Sequence, residues 1–463
     1  MSDIVFLSDD VVGPRMAGPG IRAWELAKVL ARRFSVTLAV PENSPGEEAE
    51  AFFRSAPLEL FFYNPSRPAE VTALARSARL LVVQGYVLSK FPALKSLPLP
   101  IAVDIYDPFV LENLFIHQRK IARLGDRAGV HLRDLRVWND LLLRGDHFLV
   151  ASDRQQDLVT GGLLSLNRIG PEALDAGDDL GHLLSVVPFG ISEEDGPADP
   201  EDVRRAFPAI ADGDILLLWG GVLSDWFDPL ILLRAFRTAR RAEPRLKLLF
   251  LSTGHPNPVV PAWEMAREAR ALAAELGLEG DSVFFNDGWV EYLRRAAYFR
   301  RAEVGVSIHR THFETRSAFR TRMLDYIKHG LPILCTEGDF FAELVERDRL
   351  GRVVGSGDEA GLGREIVELA ADPAGRAEMR ARLLAARERF LWERTAAPLV
   401  RWAERILAGE LRPISRPDRE EVVQACAGNG ESRVREGLRR MARPLVQKLP
   451  LRVRAKLARL LKK

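Results

Sequence analysis

Cysteine is nearly absent from this 463-residue chain, with only Cys335 and Cys426 present and far apart. That excludes a disulfide framework and a cysteine-based zinc site, and it points to a reducing compartment. Cys335 ends the short apolar run Leu331–Cys335 and reads as a small core residue. Long hydrophobic runs are missing too. No stretch approaches the ~20 apolar positions of a membrane-spanning helix. The opening MSDIVFLSDD has neither a basic n-region nor a long apolar core, so it is not expected to act as a signal peptide. The expectation is a cytoplasmic protein.

What is present is the balance of a soluble globular chain, 47% hydrophobic and 28% charged, with length for two or three domains. The formal net charge of +2 hides an asymmetry. Residues 433–463 carry twelve Lys or Arg against one acid, Glu436, which leaves the rest of the chain near −9. Short, continuous apolar runs alternate with helical patterns almost to residue 410. They lie at 4–8, 36–40, 58–63, 80–84, 101–106, 147–152 and 184–189. After an acidic, proline-containing stretch they resume at 215–219, 246–252, 282–286, 304–308, 332–336 and 351–355. Continuous rather than alternating runs mean parallel strands covered on both faces. Two such series predict an α/β chain of two Rossmann-like, doubly wound domains, each binding at the C-terminal ends of its strands. The expected division is a first domain over 1–190, a linker over 191–212 and a second domain over 213–391. A crossover helix over 392–410 follows, then a linker over 411–432 and a basic amphipathic tail over 433–463.

The first strand-to-helix junction, VVGPRMAGPGIRAWELAKVLARR (11–33), carries Gly13, Gly18 and Gly20 before a helix expected from Ile21. Glycines let backbone approach a ligand, and a helix N-terminus favours phosphate. The spacing is not G-x-G-x-x-G, which argues against dinucleotide binding. The segment VDIYDPFVLEN (103–113) places Asp104, Tyr106, Asp107 and Glu112 just past a buried strand. Either these acids carry chemistry, or Asp107-Pro108 caps the next helix. The second domain's first loop, GGVLSDWFDP (220–229), contains no lysine. His309, His312 and Glu314 lack the one-face spacing of helical zinc motifs, so no metal site is expected. Three arginines, Arg316, Arg320 and Arg322, fall between the acids Glu314 and Asp325 in HFETRSAFRTRMLDYIKHGLPILCTEGD (312–339). A helix expected from Ser317 would aim its N-terminus and these forks at a diphosphate, and Asp325 at ribose hydroxyls. The alternative is a solvated helix laced with Arg–Asp pairs.

Taken together, GPGIRAWELAKVL, LLLWGGVLSDWFDP, FFNDGWVEYLRRAAYF (284–299) and residues 304–339 resemble the GT-B glycosyltransferases, in particular the retaining family-4 enzymes of bacterial surface-polysaccharide synthesis. The resemblance covers about residues 1–410. It implies two domains facing across a cleft, with a nucleotide sugar held by the second and an acceptor by the first. It implies no cofactor beyond that substrate, retention of configuration and no metal. The family pattern has two acids seven residues apart ahead of a Gly-x-Pro turn. Counted back from Gly330-Leu331-Pro332, the second falls on Asp325 and the first on Ser317, with Glu314 nearby as a substitute. The diphosphate-gripping Arg and Lys of the family are absent from 220–229, and the 316–322 arginines are candidates to supply the charge. The Asp104–Asp107 group stands where the family has a histidine. Expected catalytic residues are Asp107 and Glu314. Expected donor-binding residues are Gly18, Gly20, Arg316, Ser317, Arg320, Arg322 and Asp325.

The expected reaction is transfer of a sugar from a nucleotide diphosphate to a hydroxyl of a glycan or lipid-linked acceptor. The rival readings are a non-catalytic scaffold that binds nucleotide or glycan, and a nucleotide-sugar epimerase of the same fold. In the tail, Leu438, Met441 and Leu445, then Val453, Leu457, Leu460 and Leu461, recur at helical spacing among the cations. Such a segment reads as an anchor on an anionic membrane surface rather than a nucleic-acid arm. It would place the protein at the inner face of the cell membrane.

Overall fold

A computed structural model describes residues 2–42, 52–54, 56–193, 201–255, 263–417 and 421–422. The first sheet contains β1 (Ile4–Leu7), β2 (Val36–Pro41), β3 (Glu59–Tyr63), β4 (Leu80–Gln84), β5 (Ile101–Asp104), β6 (His147–Val150) and β7 (Leu184–Val186). Their order is β3-β2-β1-β4-β5-β6-β7. The second sheet contains β8 (Ile215–Val222), β9 (Leu246–Ser252), β10 (Val283–Phe285), β11 (Val304–Ser307), β12 (Ile333–Thr336) and β13 (Gly351–Val354), in the order β10-β9-β8-β11-β12-β13. Neighbouring strands are parallel throughout, as where Ile4 faces Val36 on one side and Leu80 on the other.

Parallel strands buried on both faces explain the uninterrupted apolar runs. Successive β1 residues go to opposite cores: Val5 and Leu7 pack outward with Leu81, Val83 and Phe148, whereas Ile4 and Phe6 face inward. The inward core continues through Trp392 and Trp402 to Leu216, Met323 and Ile333, so it joins the two sheets. A third core covers the far face of the second sheet, around Trp219, Phe236 and Phe250.

Each sheet has a point where strand order reverses, between β1 and β4 and between β8 and β11. Connections there leave in opposite directions and open a crevice at the strand C-termini, the usual ligand position in open α/β sheets. The loops at these crevices are 8–13, 85–86, 223–228 and 308–312.

The chain passes between the halves twice. Ile191 donates to the Phe390 carbonyl at 2.6 Å, and Ile191 and Leu391 pair in parallel. A Cβ on Gly190 would lie 2.4 Å from the Trp392 ring, so the two crossings pack with no room for a side chain. After Trp392 the chain returns to the first sheet, where Trp402 stacks on His147 at 4.6 Å and Arg79 donates to the Leu407 carbonyl at 2.6 Å. Residues 415 and 416 continue there, with Ser415 bonded to Glu172 and the Arg416 guanidinium on Asp146.

Several elements differ from expectation. The first helix begins at Gly18 rather than Ile21, with Pro19 in its first turn, where a missing N–H does no harm. The helix expected from Ser317 is two pieces, Phe313–Ser317 and Arg322–His329, separated by extended backbone at Ala318. Residues 191–212 contain a helix, Glu201–Ala206. The crossover helix expected over 392–410 breaks at Ala396 into Trp392–Thr395 and Ala397–Leu407, since Pro398 cannot donate back into the preceding turn. The tail 433–463 and Cys426 lie outside the described residues. Among those described, no helix is long and apolar enough to cross a membrane.

Candidate active site

Two adjoining cavities occupy the space between the halves, and His255 lines both. One is a cleft of about 1090 Å³, open to solvent, with its floor on the second sheet's reversal point. The other, about 1200 Å³, lies over the reversal point of the first sheet.

Gly220 and Gly221, near the end of β8, line the cleft; a Cβ on Gly220 would meet the Phe299 ring at 2.7 Å, so packing explains that glycine. Arg322, at the start of the Arg322–His329 helix, crosses to them. Its Nη2 donates to the Val222 carbonyl at 2.9 Å, and a Cβ on Gly221 would be only 3.3 Å from the same nitrogen. The guanidinium lies over the rings of Phe227, at 4.1 Å, and Trp219, at 4.7 Å. Burial pulls its pKa down to about 10, still charged at neutral pH, and Nη1 has no hydrogen-bond partner. One turn along, Asp325 pairs with Arg295 at 2.9 Å, and Arg295 stacks on Tyr292 at 4.7 Å. Burial raises the Asp325 carboxyl, opposed by Arg295, Lys328 and Arg322. Arg295, Arg322 and Lys328 against Asp325 leave the cleft lining cationic.

The remaining arginines go elsewhere. Arg320 turns inward through the break between the helices and donates to Glu314 Oε2 at 2.8 Å, with both side chains buried. Arg316 is exposed and does not line the cleft, while its carbonyl accepts from Arg154. Ser317 presents its carbonyl to Gln155 of the first domain at 2.8 Å. The Phe313–Ser317 helix is therefore an interdomain contact, with Phe115 stacked on His312 at 4.1 Å. His309 is buried against the Glu337 carbonyl at 3.2 Å, and burial lowers its pKa to about 3, leaving it neutral. Gly18 lines the cleft. Gly20 does not: a Cβ there would meet the Val11 carbonyl at 2.1 Å, so the chain's own turn explains this glycine.

On the first-domain side, Asp107 lines the second cavity and does not cap the Phe109–Lys120 helix, whose N-cap is Pro108 without a side-chain bond. Burial pushes its carboxyl up to about 7, helped by the charge of Glu314 and opposed by Arg320. The structure thus brings Asp107 and Glu314 into one electrostatic group across the domain boundary, with Glu112 also raised by burial and by both acids. Glu314 itself has no exposed surface and lines neither cavity. Asp104 is held between Arg22, whose Nε is at 2.8–2.9 Å from both carboxylate oxygens, and Gln84 Nε2 at 2.8 Å. Sequence reasoning passed over Arg295, Lys328, Tyr292 and Trp289. Three of these lie in the quoted motif FFNDGWVEYLRRAAYF, where only their contacts distinguish them from surface residues.

No protein-family model and no curated protein sequence matches the chain. Solved structures do. HepE from Anabaena, in complex with UDP and glucose, superposes with a TM-score of 0.62 at 15% identity, covering 87% of this chain and 99% of that one. Sucrose-phosphate synthase from Thermosynechococcus elongatus gives 0.58 at 17% identity, covering 88% and 99%. WaaG, a glycosyltransferase involved in lipopolysaccharide biosynthesis, gives 0.57 at 16%, covering 88% and 100%. The fold is GT-B. At such identities the likeness speaks for that architecture, and the chemistry must come from the cleft's own residues.

Proposed function

We propose that the protein moves a sugar from a nucleotide diphosphate sugar to a hydroxyl of a glycan or lipid-linked acceptor, with retention and without a metal ion. The observation that carries this reading is Arg322, charged and packed against Trp219, Phe227 and Gly221 inside a cationic cleft. HepE structures hold UDP and UDP-glucose in the same fold, which supports a ligand of that class here.

In this reading Arg322, with Lys328, meets the diphosphate, and Asp325 with Arg295 holds the ribose. The acceptor oxygen bonds to the anomeric carbon as the bond from that carbon to the diphosphate oxygen breaks. The electron pair leaves with the nucleoside diphosphate, and the hydroxyl proton passes to Asp107. Preorganised cations stabilise the charge developing on the leaving group, the task an ion performs elsewhere. Glu314 acts through Arg320 and Asp107 as a positioning residue. Arg316, Ser317 and Gly20 serve the interdomain contact and the turn rather than the donor. A thermal-shift screen over UDP-, GDP- and dTDP-sugars tests the reading, because a ligand that binds only the folded state raises its melting temperature. No shift with any of them would sink it.

A further inference from the structure

The two cavities have opposite electrostatics. The first-domain cavity is lined by Asp9, Asp10, Asp104, Asp107 and Glu112, against the single cation Lys90. Lys90 is committed to Asp9 at 2.6 Å, and Asp104 is held by the buried Arg22. Among the described residues no hydrogen bond or ion pair reaches the carboxylates of Asp107 and Glu112, and the nearby Arg320 is taken by Glu314. A second feature is independent of this charge. Gln84, 2% exposed, lines the cavity with Nε2 fixed on Asp104, and its Oε1 has no partner. A buried amide oxygen left unpaired is unfavourable and calls for a donor from outside. Tyr86 and Phe109, with ring centroids 4.9 Å apart, add an aromatic wall.

We propose that this cavity takes an acceptor sugar that is neutral or bears an amino group, presents hydroxyl or ammonium donors to Gln84, Asp107 and Glu112, and carries no phosphate or carboxylate beside the reacting hydroxyl. The proposal rests on the glycosyl-transfer reading and adds the acceptor's chemical class. An anion placed here finds no uncommitted cation among the described lining residues and meets Asp107, part-ionised at neutral pH, in a poorly solvated space where like charges repel more strongly than in water. A hydroxyl donor or an ammonium instead satisfies groups that are otherwise short of partners. Any phosphate of a lipid-linked acceptor must then lie outside this cavity, beyond the sugar that reacts.

Saturation-transfer NMR on the full chain tests this, with methyl glucoside, glucosamine, glucuronate and glucose 6-phosphate as probes, each with and without the nucleoside diphosphate. The first two should bind and the two anions should bind at least tenfold more weakly. The double variant Asp107→Asn/Glu112→Gln should recover binding of the anions, with its melting curve recorded to confirm folding. Anions binding wild type as well as methyl glucoside does would overturn the proposal, as would no binding by any probe or no recovery in a folded double variant. Titration with UDP, GDP and dTDP is read separately. Failure there removes the donor assignment, whatever the sugar probes show.

Discussion

Replacing Arg322 by alanine isolates the group on which donor binding is argued to depend. The guanidinium contacts the Val222 carbonyl at 2.9 Å and lies 4.1 Å from the Phe227 ring centroid, with Nη1 still unpaired. A hydrogen bond to a charged group contributes about 1.5–3 kcal/mol. At 1.4 kcal/mol per tenfold, losing it weakens nucleoside diphosphate binding roughly 10- to 150-fold. Alanine keeps the Arg322–His329 helix, being the best helix former, so the fold should survive despite the lost packing between rings. Arg322→Lys keeps the charge but not the planar fork and should fall between the two. Calorimetric titration with UDP, GDP and dTDP, paired with their nucleosides, separates roles. A phosphate contact weakens the diphosphate far more than the nucleoside. If both weaken equally, or neither does, in a variant that melts cooperatively, Arg322 is packing and nothing more.

Asp325→Asn should lose affinity for ribonucleotides more than for their 2′-deoxy analogues, and equal losses would remove its ribose role. For Asp107 the sign follows from a carboxyl raised by burial to about 7 against about 3.9 in an unfolded chain. Its stabilising effect is whole below the unfolded value and is lost as pH climbs through 7. Asp107→Asn, which cannot ionise, should therefore raise the melting temperature at pH 8 and change it little near pH 4, and an equal shift at both would contradict the assignment. As proton acceptor, Asp107 should also make wild-type turnover rise through about pH 7. Turnover should persist in EDTA, and loss restored by manganese or magnesium would show that the arginines do not suffice. Removing residues 433–463 should abolish salt-sensitive sedimentation with anionic vesicles, and undiminished sedimentation would end the anchor idea.

The strands were legible because burial on both faces writes itself as continuous apolar runs, and every strand falls within the run expected for it or extends it by a few residues, as β8 does to Val222. Short helices were not. Phe313–Ser317 is held at its N-cap, where His312 stacks on Phe115 of the other domain, a contact with no local signature, and Glu201–Ala206 sits inside an acidic stretch that reads as linker. The arginine cluster was visible as charge, but its sorting was not. Which fork reaches Gly221, which meets Glu314 and which faces solvent depends on the backbone break at Ala318 and on loops about 100 residues away. The Arg22–Asp104 pair and the Gln84 contact were hidden for the same reason, since sheet order rather than sequence spacing brings them together.

The most direct test is to incubate the purified full chain with UDP-, GDP- and dTDP-sugars and measure nucleoside diphosphate release, with and without neutral sugar acceptors. A glycosyltransferase releases the diphosphate from at least one donor, faster when an acceptor is present, and Arg322→Ala or Asp325→Asn slows it strongly. Donor binding without any release, or recovery of an epimerised donor in place of free diphosphate, would contradict that function.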